Sequence, residues 1–293
     1  MKNGSTGVIG VGNMGLAMVG RLREQGRPVL VRDICADREA LAERDGARAV
    51  ATPAMLSRQC EVVIVAVIEA AQTEAVLFGS DGVVAAAAPG TCVVLCPTIA
   101  PESVGSFSTR LDALGIDWIE APMSGGPARA RAGTMSLMVA CRDAVFDRHA
   151  ALLATLADPV FRLGERAGDG ARTKLVNNLL AAINLVGAAE ALALAERVGL
   201  DPARTLAVVE RSSGQSWIGG DRMARALVGD TAPLAHTTLL AKDSGLAIAM
   251  AAAAGIDPKL GALAAAAFAS AVAQGHGELD DSCLLDLFRA QKV

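Results

Sequence analysis

Three features of the 293-residue sequence predict an α/β fold in which a doubly wound parallel sheet domain is followed by an all-α domain. Short apolar runs alternate with helix-period stretches through the first half, and such alternation implies crossover units and parallel strands. The runs are apolar throughout, as in Val62-Val63-Ile64-Val65-Ala66-Val67, which suits a sheet covered by helices on both faces. From Asp169 onward strand-like runs disappear, and Ala- and Leu-rich helical periodicity continues almost to the C-terminus. The two domains are accordingly placed at 1–168 and 169–293.

The predicted strands are Thr6–Ile9, Val29–Arg32, 62–67, 91–96 and Asp117–Glu120, with a helix over 16–24 after the first of them. In the second half, 173–198 reads as one long helix stopped by Gly199, and Asp201-Pro202 as a helix start with Pro at the first helical position. A helix so long and apolar is expected to bury surface against the first domain, a partner subunit, or both. Gly255, Asp257, Pro258 and Lys259 break the Ala-rich region 246–274, which is read as two packed helices and not as a membrane span.

Composition narrows the function. Hydrophobic residues at 52% and charged residues at 20% match a soluble globular protein, and a 3% aromatic share with abundant Ala favours helix-rich packing. A net charge of -4 offers no basic footprint for nucleic acid or an anionic membrane, so small molecules are the expected partners. The six cysteines form no CxxC pair and only three histidines are present, so no metal site is expected. They are read as buried thiols, with Cys92 and Cys96 on one side of a strand. The short polar start, Met1 to Gly7, lacks the pattern of a signal peptide, and a cytoplasmic location is expected.

Gly10-Val11-Gly12-Asn13-Met14-Gly15 follows a strand and opens a helix, the context of a Rossmann-type dinucleotide fingerprint. Gly10 permits the tight turn, Gly12 lets the backbone approach the pyrophosphate, and Gly15 lets helix and strand pack closely. The helix N-terminus presents N–H groups to the phosphates. Asp33, at the end of the second strand, is placed to accept hydrogen bonds from the ribose hydroxyls and to repel a 2′-phosphate. NAD is therefore favoured, while Arg32 and Arg38 keep NADP open.

Two further groupings carry chemistry. Ser124-Gly125-Gly126 follows an apolar strand, where unencumbered amides and one hydroxyl suit a carboxylate. Lys174 and Asn178 share one helix face, so an amine that relays a hydroxyl proton and an amide that fixes the substrate can serve one molecule.

Four segments resemble the β-hydroxyacid dehydrogenases, most closely their 3-hydroxyisobutyrate dehydrogenase branch. They are Gly7-Val8-Ile9-Gly10-Val11-Gly12-Asn13-Met14-Gly15; Glu120-Ala121-Pro122-Met123-Ser124-Gly125-Gly126 with Ala132-Gly133-Thr134; Gly168-Asp169-Gly170-Ala171-Arg172-Thr173-Lys174-Leu175-Val176-Asn177-Asn178; and Thr237-Thr238-Leu239-Leu240-Ala241-Lys242-Asp243. The resemblance implies a small 3-hydroxy acid as substrate, Lys174 as general acid/base assisted by Asn178, and Ser124, Gly125, Gly126 and Asn178 as substrate contacts. It places Thr98, Lys242 and Asp243 beside the cofactor, and it implies a homodimer or homotetramer. Trp217, in Ser212-Ser213-Gly214-Gln215-Ser216-Trp217, is left between a substrate wall and a core position. His236 receives no role.

Pro97 and Ile68 depart from the family's pattern at cofactor contacts, and Ala235 stands where family members commonly carry an aromatic residue lining the substrate site. The alternatives are a reductase of a short semialdehyde (tartronate, succinic or glyoxylic type), a sugar-acid dehydrogenase, and a non-catalytic NAD-binding protein. The joint presence of Ser124, Lys174 and Asn178 argues against the last.

Overall fold

The computed structural model describes residues 4–290, and the chain divides into two compact units, Met1–Lys174 and Leu175–Val293. The polar start at Met1 to Gly7 falls partly outside the described residues.

The first unit is built on a nine-stranded sheet. β1 (Thr6–Ile9), β2 (Val29–Arg32), β3 (Arg48–Ala49), β4 (Val62–Val65), β5 (Cys92–Leu95) and β6 (Asp117–Glu120) lie parallel in the order β3-β2-β1-β4-β5-β6. Every residue of β1, β4 and β5 is buried, as their unbroken apolar character requires. Ala66, Val67 and Cys96, expected to lie in strands, instead turn into the loops at the carboxyl ends of β4 and β5.

Four strands were not foreseen: β3, and beyond β6 the strands β7 (Met123–Ser124), β8 (Met135–Ala140) and β9 (Ala157–Gly164). β8 runs antiparallel to β6 and β7, and β9 parallel to β8, so the sheet is not purely parallel. β7 is too short to give a pattern. β9 is half exposed and carries Pro159, which a strand accepts at an edge but which masks it in the sequence.

Seven helices connect these strands: α1 (Asn13–Glu24), α2 (Ala36–Arg44), α3 (Pro53–Gln59), α4 (Ala70–Phe78), α5 (Pro101–Ala113), α6 (Gly126–Ala132) and α7 (Asp143–Leu156). Their starts follow local chemistry. Thr52 caps α3 by accepting from the Met55 N–H at 3.1 Å, with Pro53 first in the helix, and Glu69 and Gln72 form a capping box on α4. α1 begins at Asn13, inside the fingerprint, and not at Leu16, because Gly12 is its N-cap.

α8 (Asp169–Arg197) begins in the first unit and runs on into the second, starting at Asp169 and not at Thr173. Among the described residues it is the one helix long and apolar enough to cross a membrane, but 44% of its most apolar window is buried inside the protein. Its second and third turns carry Lys174 and Asn178.

The second unit continues with α9 (Pro202–Val209), α10 (Trp217–Leu227), α11 (Thr237–Ala253), α12 (Lys259–Ala271) and α13 (Leu284–Ala290). Asp201 caps α9 through the Arg204 N–H at 2.8 Å, ahead of Pro202. The break at Gly255 to Pro258 separates α11 from α12 as expected. Leu185, Leu192, Met223, Phe268, Leu284 and Leu285 form this unit's core. Gly261 permits a close approach there, because a Cβ would lie 2.7 Å from Leu179 Cδ1.

All six cysteines are free thiols. Cys92 and Cys96 are buried as expected, and burial pushes the Cys96 thiol up to about 12. Two depart from the expectation: Cys35 precedes α2 on the exposed loop after β2, and Cys283 is only partly buried.

Candidate active site

Strand order in the first unit reverses at β1, which pairs with β2 on one side and β4 on the other, and the fingerprint loop leaves the carboxyl end of β1 at that point. A parallel sheet opens a ligand crevice there. Gly10 has φ +89°, and a Cβ on it would lie 2.8 Å from the Ala66 carbonyl oxygen. A Cβ on Gly15 would lie 1.9 Å from the Gly10 carbonyl oxygen. Packing therefore demands glycine at both positions.

Gly12 differs. Its φ is -63°, and a Cβ there would meet no protein atom within 4 Å. Nothing in the protein's own packing requires glycine at 12, so the open space before α1 fits the approach of a cofactor's pyrophosphate to the backbone.

Around this loop the polar groups are already arranged. Asp33 accepts the Val11 N–H at 2.6 Å and the Cys35 N–H at 2.9 Å, which fixes its carboxylate against the fingerprint. Arg38 donates to Asn13 Oδ1 at 3.4 Å, and Met14 packs against the core of this unit. Arg32 is held by Glu39 at 2.9 Å, and the same Glu39 oxygen accepts the Asp33 N–H. Thr98 lies in the loop after β5, on the same carboxyl edge of the sheet.

Ser124 ends β7, opposite Ser136 of β8. Gly125 and Gly126 follow with φ +125° and +75°, a succession that side chains disfavour, and a Cβ on Gly126 would meet nothing within 4 Å. Gly126 borders open space at the start of α6, as an acceptor site for a carboxylate needs, while a Cβ on Gly125 would lie 3.1 Å from Arg129 Cδ.

Lys174 is 8% exposed and lies one turn before Asn178, which is 7% exposed. The start of their helix is held by Glu120, the last residue of β6. This buried carboxylate accepts N–H bonds from Gly168 at 2.8 Å, Gly170 at 3.2 Å and Ala171 at 2.5 Å. Burial pushes its carboxyl above the usual carboxylate range, and the three N–H bonds oppose that rise. Glu120 figured in the sequence only as part of a motif, because its partners lie about fifty positions away.

In the second unit Asp243 is a hub. One oxygen accepts the Asn178 amide at 2.6 Å, the other the Lys242 ammonium at 2.6 Å, and Asn177 donates to Asn178 Oδ1 at 3.1 Å. The Lys242-Asp243 pair is thus no surface decoration, since Asp243 is only 6% exposed. Trp217 heads α10 and is 53% exposed, which excludes a core role. Ala235 sits in a segment fixed by Asp280, whose Oδ2 accepts the Leu234 and Ala235 N–H groups and the Arg225 guanidinium. His236 caps no helix with its side chain and bonds to the Glu278 carbonyl. Among the described residues no group of three or more His, Cys, Asp or Glu side chains is gathered as for a metal ion.

Comparison with known proteins bears on both units. Residues 5–164 match the NAD-binding domain of 6-phosphogluconate dehydrogenase, and residues 168–288 match the NAD-binding domain of NADP-dependent 3-hydroxyisobutyrate dehydrogenase. An L-threonate dehydrogenase of Cupriavidus necator is 36% identical over 282 residues, covering 96% of this chain and 95% of its own. A 3-hydroxyisobutyrate dehydrogenase of Pseudomonas aeruginosa is 34% identical, covering 97% and 98%. A crystal structure described as 3-hydroxyisobutyrate dehydrogenase from Salmonella typhimurium superposes with a TM-score of 0.90 at 31% identity, covering 97% and 99%. The chain belongs to the β-hydroxyacid dehydrogenase family and is an NAD(P)-dependent dehydrogenase of hydroxy acids.

Proposed function

We propose that the chain oxidises a four-carbon polyhydroxylated acid of the L-threonate type in preference to 3-hydroxyisobutyrate, with NAD and with Lys174 as general acid/base. The observation that carries this reading is Ala235, a methyl group where an aromatic wall is expected, in a chain whose relatives include the L-threonate dehydrogenase above. Removing a ring leaves room for further hydroxyls on the chain beyond the carboxylate.

In this reading Ser124 and the amides of Gly125 and Gly126 hold the substrate carboxylate, and Trp217 contacts the far end of the molecule. Lys174 takes the proton of the hydroxyl under oxidation and releases it to solvent. The Asn178 amide, with one N–H bonded to Asp243, turns its other toward the substrate oxygen. The nicotinamide supplies the hydride acceptor when bound. Thr98 and Lys242 contact the cofactor, and Asp243 orders Lys242 for that purpose. Asp33, with both oxygens already directed by backbone N–H groups, receives the ribose hydroxyls, and Glu39 occupies the arginine nearest to a 2′-phosphate. We place the domain boundary at 168/169 and the assembly as a homodimer or homotetramer in the cytoplasm.

The test is kcat/KM for L-threonate, 3-hydroxyisobutyrate and isobutanol with each cofactor, repeated with Ala235→Phe. L-Threonate is expected to lead with NAD, isobutanol to be poor because it leaves buried donors unpaired, and Ala235→Phe to shift preference toward the smaller acid. An unchanged profile in Ala235→Phe, or equal activity on the alcohol, refutes the reading.

A further inference from the structure

We propose that Glu120 is a positioning residue for Lys174: it docks the first turn of α8 onto the sheet and so fixes where the lysine amine sits, an inference that rests on reading Lys174 as the acid/base. A carboxylate at 1% exposure is costly unless its oxygens are satisfied. Here the satisfaction comes from N–H groups of Gly168, Gly170 and Ala171, which the start of a helix leaves without intrahelical partners. An anion also sits favourably at the positive end of the helix.

The contact is closed sterically as well. A Cβ on Gly170 would lie 2.8 Å from the Met138 carbonyl oxygen and 2.9 Å from Glu120 Cδ, so only glycine lets the turn come this near to β6 and β8. Lys174 follows Gly170 by four positions and Ala171 by three, which puts it one turn farther along the same face. Two other bonds lie within this stretch: Thr173 Oγ1 donates to the Asp169 carbonyl at 2.8 Å, and Arg172 pairs with the Asp169 carboxylate at 2.9 Å. They shape the turn, whereas Glu120 sets its place on the sheet. Loosening that clamp lets the second turn shift, and a displacement of about 1 Å at a reacting group costs on the order of a hundredfold in rate.

The experiment compares wild type, Glu120→Gln, Glu120→Asp and Lys174→Ala for kcat, for KM of the hydroxy acid, for NAD affinity and for thermal midpoint. It adds the NMR position of Lys174 after reductive ¹³C-methylation. Glu120→Gln replaces one acceptor oxygen by an amide that faces N–H groups. It is expected to bind NAD as wild type, to change KM less than threefold, to lose about ten- to a hundredfold in kcat, and to move the Lys174 resonance. Glu120→Asp, which keeps the charge with a shorter reach, should recover part of the rate.

Wild-type kcat in a folded Glu120→Gln variant overturns the proposal, as does a lost rate with an unmoved Lys174 resonance. Should Glu120→Gln fail to fold, the same two criteria apply to Glu120→Asp. Retained turnover in Lys174→Ala refutes the acid/base reading instead, and the Lys174 resonance in the Glu120 variants then decides the clamp alone: moved supports it, unmoved overturns it.

Discussion

The fingerprint loop and the start of α8 are held in place by opposite means. At the fingerprint, the backbone makes the shape: two glycines are demanded by contacts within a few residues or with the loop after β4, and a third leaves space. Around Lys174 and Asn178, buried side chains hold the shape, with Glu120 and Asp243 reaching across long stretches of sequence. A backbone-built site tolerates loss of a side chain but not gain of one. A side-chain-built site is the reverse, because removing one partner strands another in a dry environment.

The largest test of this contrast is Lys174→Ala, expected to lower kcat by ~10²–10⁴-fold while NAD titration stays at the wild-type value. A variant keeping more than about a third of wild-type turnover would remove Lys174 from proton transfer, since a positioned acid/base supplies far more than that.

Next comes Asp243→Ala, which takes the acceptor from both Asn178 and Lys242. Stability should fall by about 1–3 kcal/mol from the unsatisfied buried groups, read as a lower denaturant midpoint, and kcat should drop about tenfold or more. An unchanged midpoint and rate would show that these side chains do not depend on one another.

Within the fingerprint, Gly15→Ala and Gly12→Ala should separate folding from binding. The first drives a methyl into the Gly10 carbonyl and should cost about 1–3 kcal/mol in a melt. The second should leave the melt unchanged and weaken NAD, because its methyl enters only open space. Equal behaviour of the two would erase the distinction drawn at Gly12. The smallest effect is expected for Asp33→Ala: a several-fold weaker NAD KM and a narrower gap to NADP, with a wild-type preference for NADP counting against the role given to Asp33.

This difference in construction also decides what the sequence makes legible. β1, β2 and β6 begin and end at their expected residues, and the Gly10 to Gly15 turn was readable because glycine spacing is a local record of backbone geometry. Lys174 and Asn178 were readable as one helix face for the same reason. The clamps were not: the sequence offers Asp243 as a cofactor-side residue without its bond to Asn178, and nothing around Asp280 marks it as the anchor of the segment bearing Ala235. Such pairings are set by the tertiary fold, which periodicity and spacing do not encode. β3 and β7 were missed because two residues carry no period, and β9 because an edge strand with a proline carries a misleading one.

The bond between Arg32 and Glu39 bears on how cofactor preference can evolve. With Glu39 engaging both Arg32 and the Asp33 backbone, a mutation at Asp33 alone removes repulsion of a phosphate without releasing Arg32 to attract it. The two sites should therefore be epistatic. Glu39→Gln by itself gains little while Asp33 remains, whereas the double variant should gain more NADP activity than the two single changes combined. A lineage turning from NAD toward NADP would then pass through an intermediate that has lost grip on one cofactor before acquiring the other, a valley that would hold the proposed NAD preference in place.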